Sequence, residues 1–190
     1  MLKHHFPIMA SNTNKEMLTN KVVKISTWMN KVDKLASNHS YETTGEFDRD
    51  KFVGDAFEHL VEAMITWGRS DKAINCINVE PAEHDAPGVD LIGVGHDTTS
   101  VHTIQCKYRS NTMTDLTEGR DHIAMFPSSS LLKYNATYMT IWTTAKDLHR
   151  ILDEEWDGKV KTIGFKQIRN LVDNNVAFWN FYANDLLNRN

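Results

Sequence analysis

The stretch Val101–Lys107, VHTIQCK, most constrains what this chain can fold into. Its period-two alternation puts Val101, Thr103, Gln105 and Lys107 on one face of a strand and His102, Ile104 and Cys106 on the other. Gln105 and Lys107 therefore point the same way. Upstream, Val89–Gly95 is a second β-rich run, and Gly95–Ser100, GHDTTS, is a polar, Gly-led segment of the kind that reverses a chain. Folded as a hairpin, the two runs bring Asp90 close to Gln105, fifteen positions later.

An acid on one strand with a Gln-x-Lys on the next reads as a divalent-metal site for cutting phosphodiesters. Mg²⁺ prefers hard oxygen ligands and takes one or two carboxylates along with waters and phosphate oxygens, so a second acid is needed. Glu58 supplies it. In Phe52–Ile65 the residues Phe57, Leu60, Val61, Met64 and Ile65 follow helical spacing, and Glu58 borders that apolar stripe, which turns it toward the strands. Asp55 and Glu62 lie one turn to either side, on neighbouring helical faces.

These three pieces, Gly54-Asp55-Ala56-Phe57-Glu58, Gly88-Val89-Asp90-Leu91-Ile92 and Ile104-Gln105-Cys106-Lys107-Tyr108, match in order and spacing those of a known superfamily. Over about Phe52 to Thr144 the chain resembles the PD-(D/E)XK nucleases, in particular the Mrr-like branch of restriction endonucleases and nuclease domains attached to phage helicases. The resemblance implies an α/β, restriction-endonuclease-like core with a central mixed sheet flanked by helices. It also implies that Asp90 is the central ligand of Mg²⁺ or Mn²⁺ and Glu58 a helix-borne acid at the metal. Gln105 stands where the general pattern has a second acid, as is usual in the Mrr-like branch, and Lys107 is the motif lysine. The carbonyl of Cys106 is a further ligand by the same analogy.

Those residue types suit the chemistry. A bound metal polarises the phosphate and acidifies a bound water. An ammonium at Lys107 would orient the nucleophile and offset charge gathering on the non-bridging oxygens.

At 190 residues and 41% hydrophobic content, the chain is long enough for one sizeable core. No apolar run is long enough to span a bilayer, and the first residues lack the apolar core of a secretion signal, so a cytoplasmic protein, of a cell or of a virus-infected host, is expected. Cys76 and Cys106 are too few for a disulfide framework or zinc cluster and read as small buried residues. His84, His96 and His102 lack ligand-pair spacing. Glu83, His84 and Asp85 form a polar run that reads as an exposed loop or a second cation site.

The formal net charge of −4 requires any DNA contact to be local. Residues 1–36 nevertheless carry +4, leaving −8 on the remainder. In that basic segment Leu18, Val22, Ile25, Met29 and Val32 make one helical stripe, expected to pack on the core or else to serve as a dimer contact or phosphate-gripping arm. An N-terminal helical extension over 1–44 and a nuclease domain over 45–190 follow, with a polar connection around Ser37–Gly45.

Downstream, Leu116–Phe126 reads as a helix stopped by Pro127 and three serines, Tyr138–Thr144 as a strand, Ala145–Trp156 as a helix, Val160–Phe165 as a short strand and Lys166–Asn188 as one long helix. Arg109 and Arg120 would be phosphate contacts beside the site. The aromatic cluster Phe178, Trp179, Phe181 and Tyr182 reads as core or oligomer contact. No Gly-rich phosphate loop is visible, so a helicase or restriction-system motor would be a separate partner.

The expected function is metal-dependent cleavage of DNA. The alternative is an accessory, DNA-binding module that keeps the fold without turnover; RNA or branched DNA as substrate is a third reading. A double-strand cut calls for two symmetry-related sites, which a homodimer would supply.

Overall fold

The structure is a computed structural model that describes residues 12–42, 49–68, 74, 76–83, 86–117, 123–149, 156 and 158–188. It is an α/β protein with an N-terminal helical part. In chain order the elements are α1 (Asn12–Thr19), α2 (Ile25–Glu42), α3 (Arg49–Trp67), β1 (Asn78–Pro81), β2 (Leu91–Val94), β3 (Val101–Lys107), α4 (Met125–Tyr134), β4 (Tyr138–Thr143), β5 (Val160–Ile163), α5 (Phe165–Val172) and α6 (Val176–Asn188).

The strands form one sheet in the order β1-β2-β3-β4-β5. β1 and β3 each pair antiparallel with β2, whereas β4 pairs parallel with β3 and β5 parallel with β4, so the sheet is mixed. The expected hairpin is present: Leu91 pairs with Ile104 and Val94 with Val101. Gly95 N–H donates to the Ser100 carbonyl, and the Asp97 carboxylate accepts from the backbone N–H groups of Thr99 and Ser100.

Strand alternation divides the core in two. Leu91, Ile104, Cys106, Trp142 and Ile163 face the larger apolar cluster, which takes in residues of α1, α2, α3, α5 and α6. Met139 and Ile141, with the partly buried Ile92 and Val160, face the smaller cluster with Phe126 of α4. Each fully buried Phe or Leu contributes about 1.5–3 kcal/mol. The N-terminal helices thus share a core with the sheet, and Phe178, Trp179 and Tyr182 of the aromatic cluster are buried in it. The expected boundary near residue 44 lies outside the described residues.

Several expected elements are corrected. The N-terminal stripe is buried as expected but sits on two helices, because the chain breaks between Thr19 and Ile25 with Lys21 at φ +55. Lys31 Nζ donates to the carbonyls of Met17 and Asn20 at that break, and Asp173 Oδ1 accepts from Ile25 N–H at 2.8 Å, capping α2 from across the fold.

The C-terminal helix is likewise two. Asp173-Asn174-Asn175 interrupts it, with Asn174 at φ +59 and Asn175 Oδ1 accepting from Phe178 N–H to cap α6. Pro127 and the serines begin a helix instead of ending one: Pro127 lies in the first turn of α4, where a missing N–H costs nothing. Leu116 is not helical but bridges Leu148 in parallel, its N–H donating to Asp147 O and its carbonyl accepting from His149 N–H. Those bonds also keep Ala145–His149 out of a helix, while 150–155 lie outside the described residues. The edge strand β1 was not foreseen as a separate element.

Replacing the distant cap of α2 isolates one such link. Asp173→Ala should lower unfolding free energy by about 1 kcal/mol in urea titrations monitored by circular dichroism, with Asp173→Asn much closer to wild type.

Candidate metal and phosphodiester site

The site is built at the end of β3. Its delivery system starts at Ala86-Pro87-Gly88-Val89, where Val89 N–H donates to the Ala86 carbonyl at 3.0 Å and Gly88 takes φ +77. Proline second and a positive-φ glycine third are what a type II turn requires. A Cβ at Gly88 would also come within 3.1 Å of Gln105 Nε2 and 3.3 Å of Phe126 Cα, so the site depends on glycine twice over.

The turn sets Asp90 beside β3. Its N–H donates to the Ile104 carbonyl and its Oδ2 accepts from Cys106 N–H at 2.6 Å. In a strand the N–H and C=O of one residue point to the same side, so the Cys106 carbonyl also lies on the edge facing Asp90.

Glu58 comes from α3, which packs on β1 and β3. Its neighbour Phe57 is fully buried and meets Tyr108 edge-on with ring centroids 6.1 Å apart; Trp28 completes the group at 6.5 Å from Phe57 and 6.4 Å from Tyr108. Glu58 and Lys107 are thus held through their chain neighbours.

The charges of Glu58, Asp90, Asp55 and Lys107 act on one another. Burial pushes the Glu58 carboxyl up to about 8, with the charges of Asp90 and then Asp55 adding to the rise, while Lys51 and Lys107 oppose it. Burial pushes Asp90 up to about 6 as well, against the Cys106 N–H and Lys107, with Asp55 adding. The Cys106 thiol is raised well above its usual range by burial, then by Asp90 and Glu58.

Gln105 behaves differently. It is 0% exposed, and neither its Nε2 nor its Oε1 has a hydrogen-bond partner. Its amide lies by Gly88 and Phe126, on the α4 side of the sheet, whereas Glu58 comes from the α3 side. Leaving such a group unpaired costs about 1–3 kcal/mol.

Arg109 is half-buried just past β3, and its Nη1 donates to the Tyr108 carbonyl at 2.6 Å. Arg120 lies outside the described residues, as do His84 and Asp85, while Glu83 pairs with Lys133 at 3.0 Å. His102 is buried and shares a hydrogen bond with Thr140 Oγ1. Cys76 and Cys106 are both free and buried.

The sequence reading missed the electrostatic part of Asp55 at both carboxyls and the role of Gly88. A Pro-Gly pair two residues before the strand acid was the available signal for that turn.

Among the described residues no group of three or more His, Cys, Asp or Glu side chains is gathered as a metal cage. A hard cation such as Mg²⁺ does not need one, since two carboxylates with waters and phosphate oxygens suffice. The donor set fits it: two half-buried acids whose charge is incompletely offset and a backbone carbonyl on the same edge as Asp90.

Among the described residues no helix is long and apolar enough to cross a membrane. No protein-family model and no curated protein matches the sequence. Among solved structures the chain is similar to the crystal structure of protein VC1899 from Vibrio cholerae, with 14% identity and a TM-score of 0.42 over 97% of this chain and 52% of that one. The chain spans about half the length of that protein.

The raised carboxyls give a stability signature. Between about 4.5 and about 8 the folded Glu58 keeps a proton that the unfolded chain has released, so stability should fall as pH rises through that window; Asp90 adds a similar loss ending near 6. In EDTA, Glu58→Gln should flatten the fall in Tm across this range and exceed wild type most at pH 8. An unchanged slope would show that Glu58 is not held protonated.

Proposed function

We propose that the chain is a divalent-metal-dependent endodeoxyribonuclease that hydrolyses DNA phosphodiester bonds. The observation that carries this reading is the pairing of Glu58 and Asp90, both half-buried and both raised in pKa, with Lys107 close enough to oppose each shift. Acids perturbed by desolvation and a specific charge partner are candidates for a functional site.

Asp90, Glu58 and the Cys106 carbonyl would hold Mg²⁺ or Mn²⁺, while the Gln105 amide, on the α4 side of the sheet, is turned away from Glu58. When bound, such an ion polarises the scissile phosphate and makes a water acidic enough to attack. The chain's own residues do the rest. The Cys106 N–H fixes the rotamer of Asp90. Lys107, half-buried at the end of β3, orients the attacking water and offsets charge on the non-bridging oxygens. Partial burial of both acids strengthens these interactions relative to water.

DNA is the expected partner despite the net charge of −4, because contact is confined to the site, with Arg109 and Arg120 as flanking phosphate contacts. A separate helicase or restriction-system component and a homodimer belong to the same proposal. The observation favouring the accessory reading is Gln105, an uncharged group turned toward Gly88 and Phe126.

Cleavage of supercoiled plasmid separates the two. Wild type should nick or linearise it with Mg²⁺ or Mn²⁺ and not with EDTA; Asp90→Asn and Lys107→Ala should each lose about 100-fold or more in rate while still binding DNA. A wild type that binds plasmid, single-stranded and branched DNA yet cuts none would favour the accessory module. Mn²⁺ should also raise the Tm of wild type but not of Glu58→Gln, a readout independent of turnover.

A further inference from the structure

The parallel ladder between β3 and β4 runs out at Lys107, which pairs with Thr143. Beyond that point the chain uses side chains in place of ladder bonds. Thr143 Oγ1 donates to the Lys107 carbonyl at 2.7 Å and accepts from Ala145 N–H at 3.0 Å. Thr144 N–H donates to the same Lys107 carbonyl at 3.3 Å. Thr144 Oγ1 accepts from Arg109 N–H at 2.6 Å and donates to the Arg109 carbonyl at 2.8 Å. Both threonines are 0% exposed.

Two adjacent, fully buried hydroxyls are thus spent on the backbone of Lys107 and Arg109, the lysine and arginine of the site. A strand end ordinarily frays, because its last backbone groups lack a partner and turn to water. Here the backbone groups on the β4 side of Lys107 and Arg109 are closed by hydroxyls, while on the β2 side Cys106 N–H is closed by Asp90. β3 is therefore clamped from both edges across Cys106 and Lys107, the residues whose carbonyl and ammonium the reaction would use.

We propose that Thr143 and Thr144 are positioning residues of the candidate nuclease site, acting through the backbone of Lys107 and Arg109 to hold the Lys107 ammonium in register with Asp90 and Glu58. The inference rests on the nuclease reading above. Valine keeps the shape of threonine and removes only the hydroxyl, so it isolates the bond from the packing. Thr143→Val leaves the Lys107 carbonyl with one donor, that of Thr144 N–H; Thr144→Val leaves both backbone groups of Arg109 without their hydroxyl.

Displacements of an ångström in a site can cost about 100-fold in rate. Steady-state cleavage of a short duplex in Mg²⁺ should show kcat of Thr143→Val reduced about tenfold or more with KM changed less than about twofold, and Thr143→Ser restored to near wild type. Thr144→Val should act in the same direction, and Thr144→Ser should recover. Tm measured in EDTA distinguishes loss of fold from loss of position: for the valine variants it should fall by too little to unfold them at the assay temperature. Wild-type kinetics in both valine variants would overturn the inference and leave the nuclease reading standing. So would losses that serine fails to rescue, or that appear equally in KM. A wild type that cuts no substrate would overturn the nuclease reading itself, and this inference with it.

Discussion

Phe57 and Tyr108 meet edge-on, and each is the chain neighbour of a charged residue of the site: Phe57 precedes Glu58, and Tyr108 follows Lys107. Edge-to-face aromatic contact adds about 0.5–1.5 kcal/mol to what burial already supplies, and it fixes rotation as well as distance. Trp28 locks the pair from α2 and, through Nε1 donating to Tyr182 OH at 3.1 Å, ties it to α6. The apolar core therefore sets the separation between helix α3 and the end of β3. Without that scaffold, two acids sharing so little solvent would separate, since each raises the proton affinity of the region it occupies.

The same core explains how much of the site was legible in the sequence. Strand alternation in Val101–Lys107 is strict because the two faces meet different clusters, so period two survives as a clear signal and locates Gln105 and Lys107 on one face. The Pro87-Gly88 turn is likewise local chemistry, and it carries Asp90 to its place. Glu58 was legible for a third reason: its position at the border of an apolar stripe is a property of the helix alone. What sequence could not show was where Gln105 sends its amide, because that depends on Gly88 and on Phe126 from an element more than twenty residues away.

The misread elements fail by one cause. Thr19–Ile25 and Asp173–Asn175 interrupt stretches whose apolar spacing continues across the break, so a period count runs straight through them. Each break is stabilised by partners distant in sequence or by side chains that compete with helical bonding: Asp173 caps α2, Lys31 closes on Asn20, and Asn175 caps α6. Pro127 was misread for the complementary reason. Proline terminates a helix from its interior but is welcome in the first turn, and the residues that decide between the two are those before it. Leu116 and Leu148 form a bridge between segments about thirty residues apart, which no local window contains.

The proton balance of the site connects its structure to the proposed chemistry. Burial and neighbouring negative charge raise the proton affinity of both Glu58 and Asp90, so the two acids together hold a proton more tightly than free carboxyls would, with Lys107 opposing the shift. A divalent cation reverses this arrangement, because its charge favours ionisation of both acids and replaces the proton. Cation affinity should then rise with pH across the window in which the apo fold loses stability, so the electrostatic strain that destabilises the empty site is the same free energy that the cation recovers on binding. A structural ion pair would show the opposite pattern, with carboxyls held below their usual range by their partners. Two half-buried acids both pushed upward are an arrangement that destabilises the protein alone and becomes favourable with a positive ligand between them.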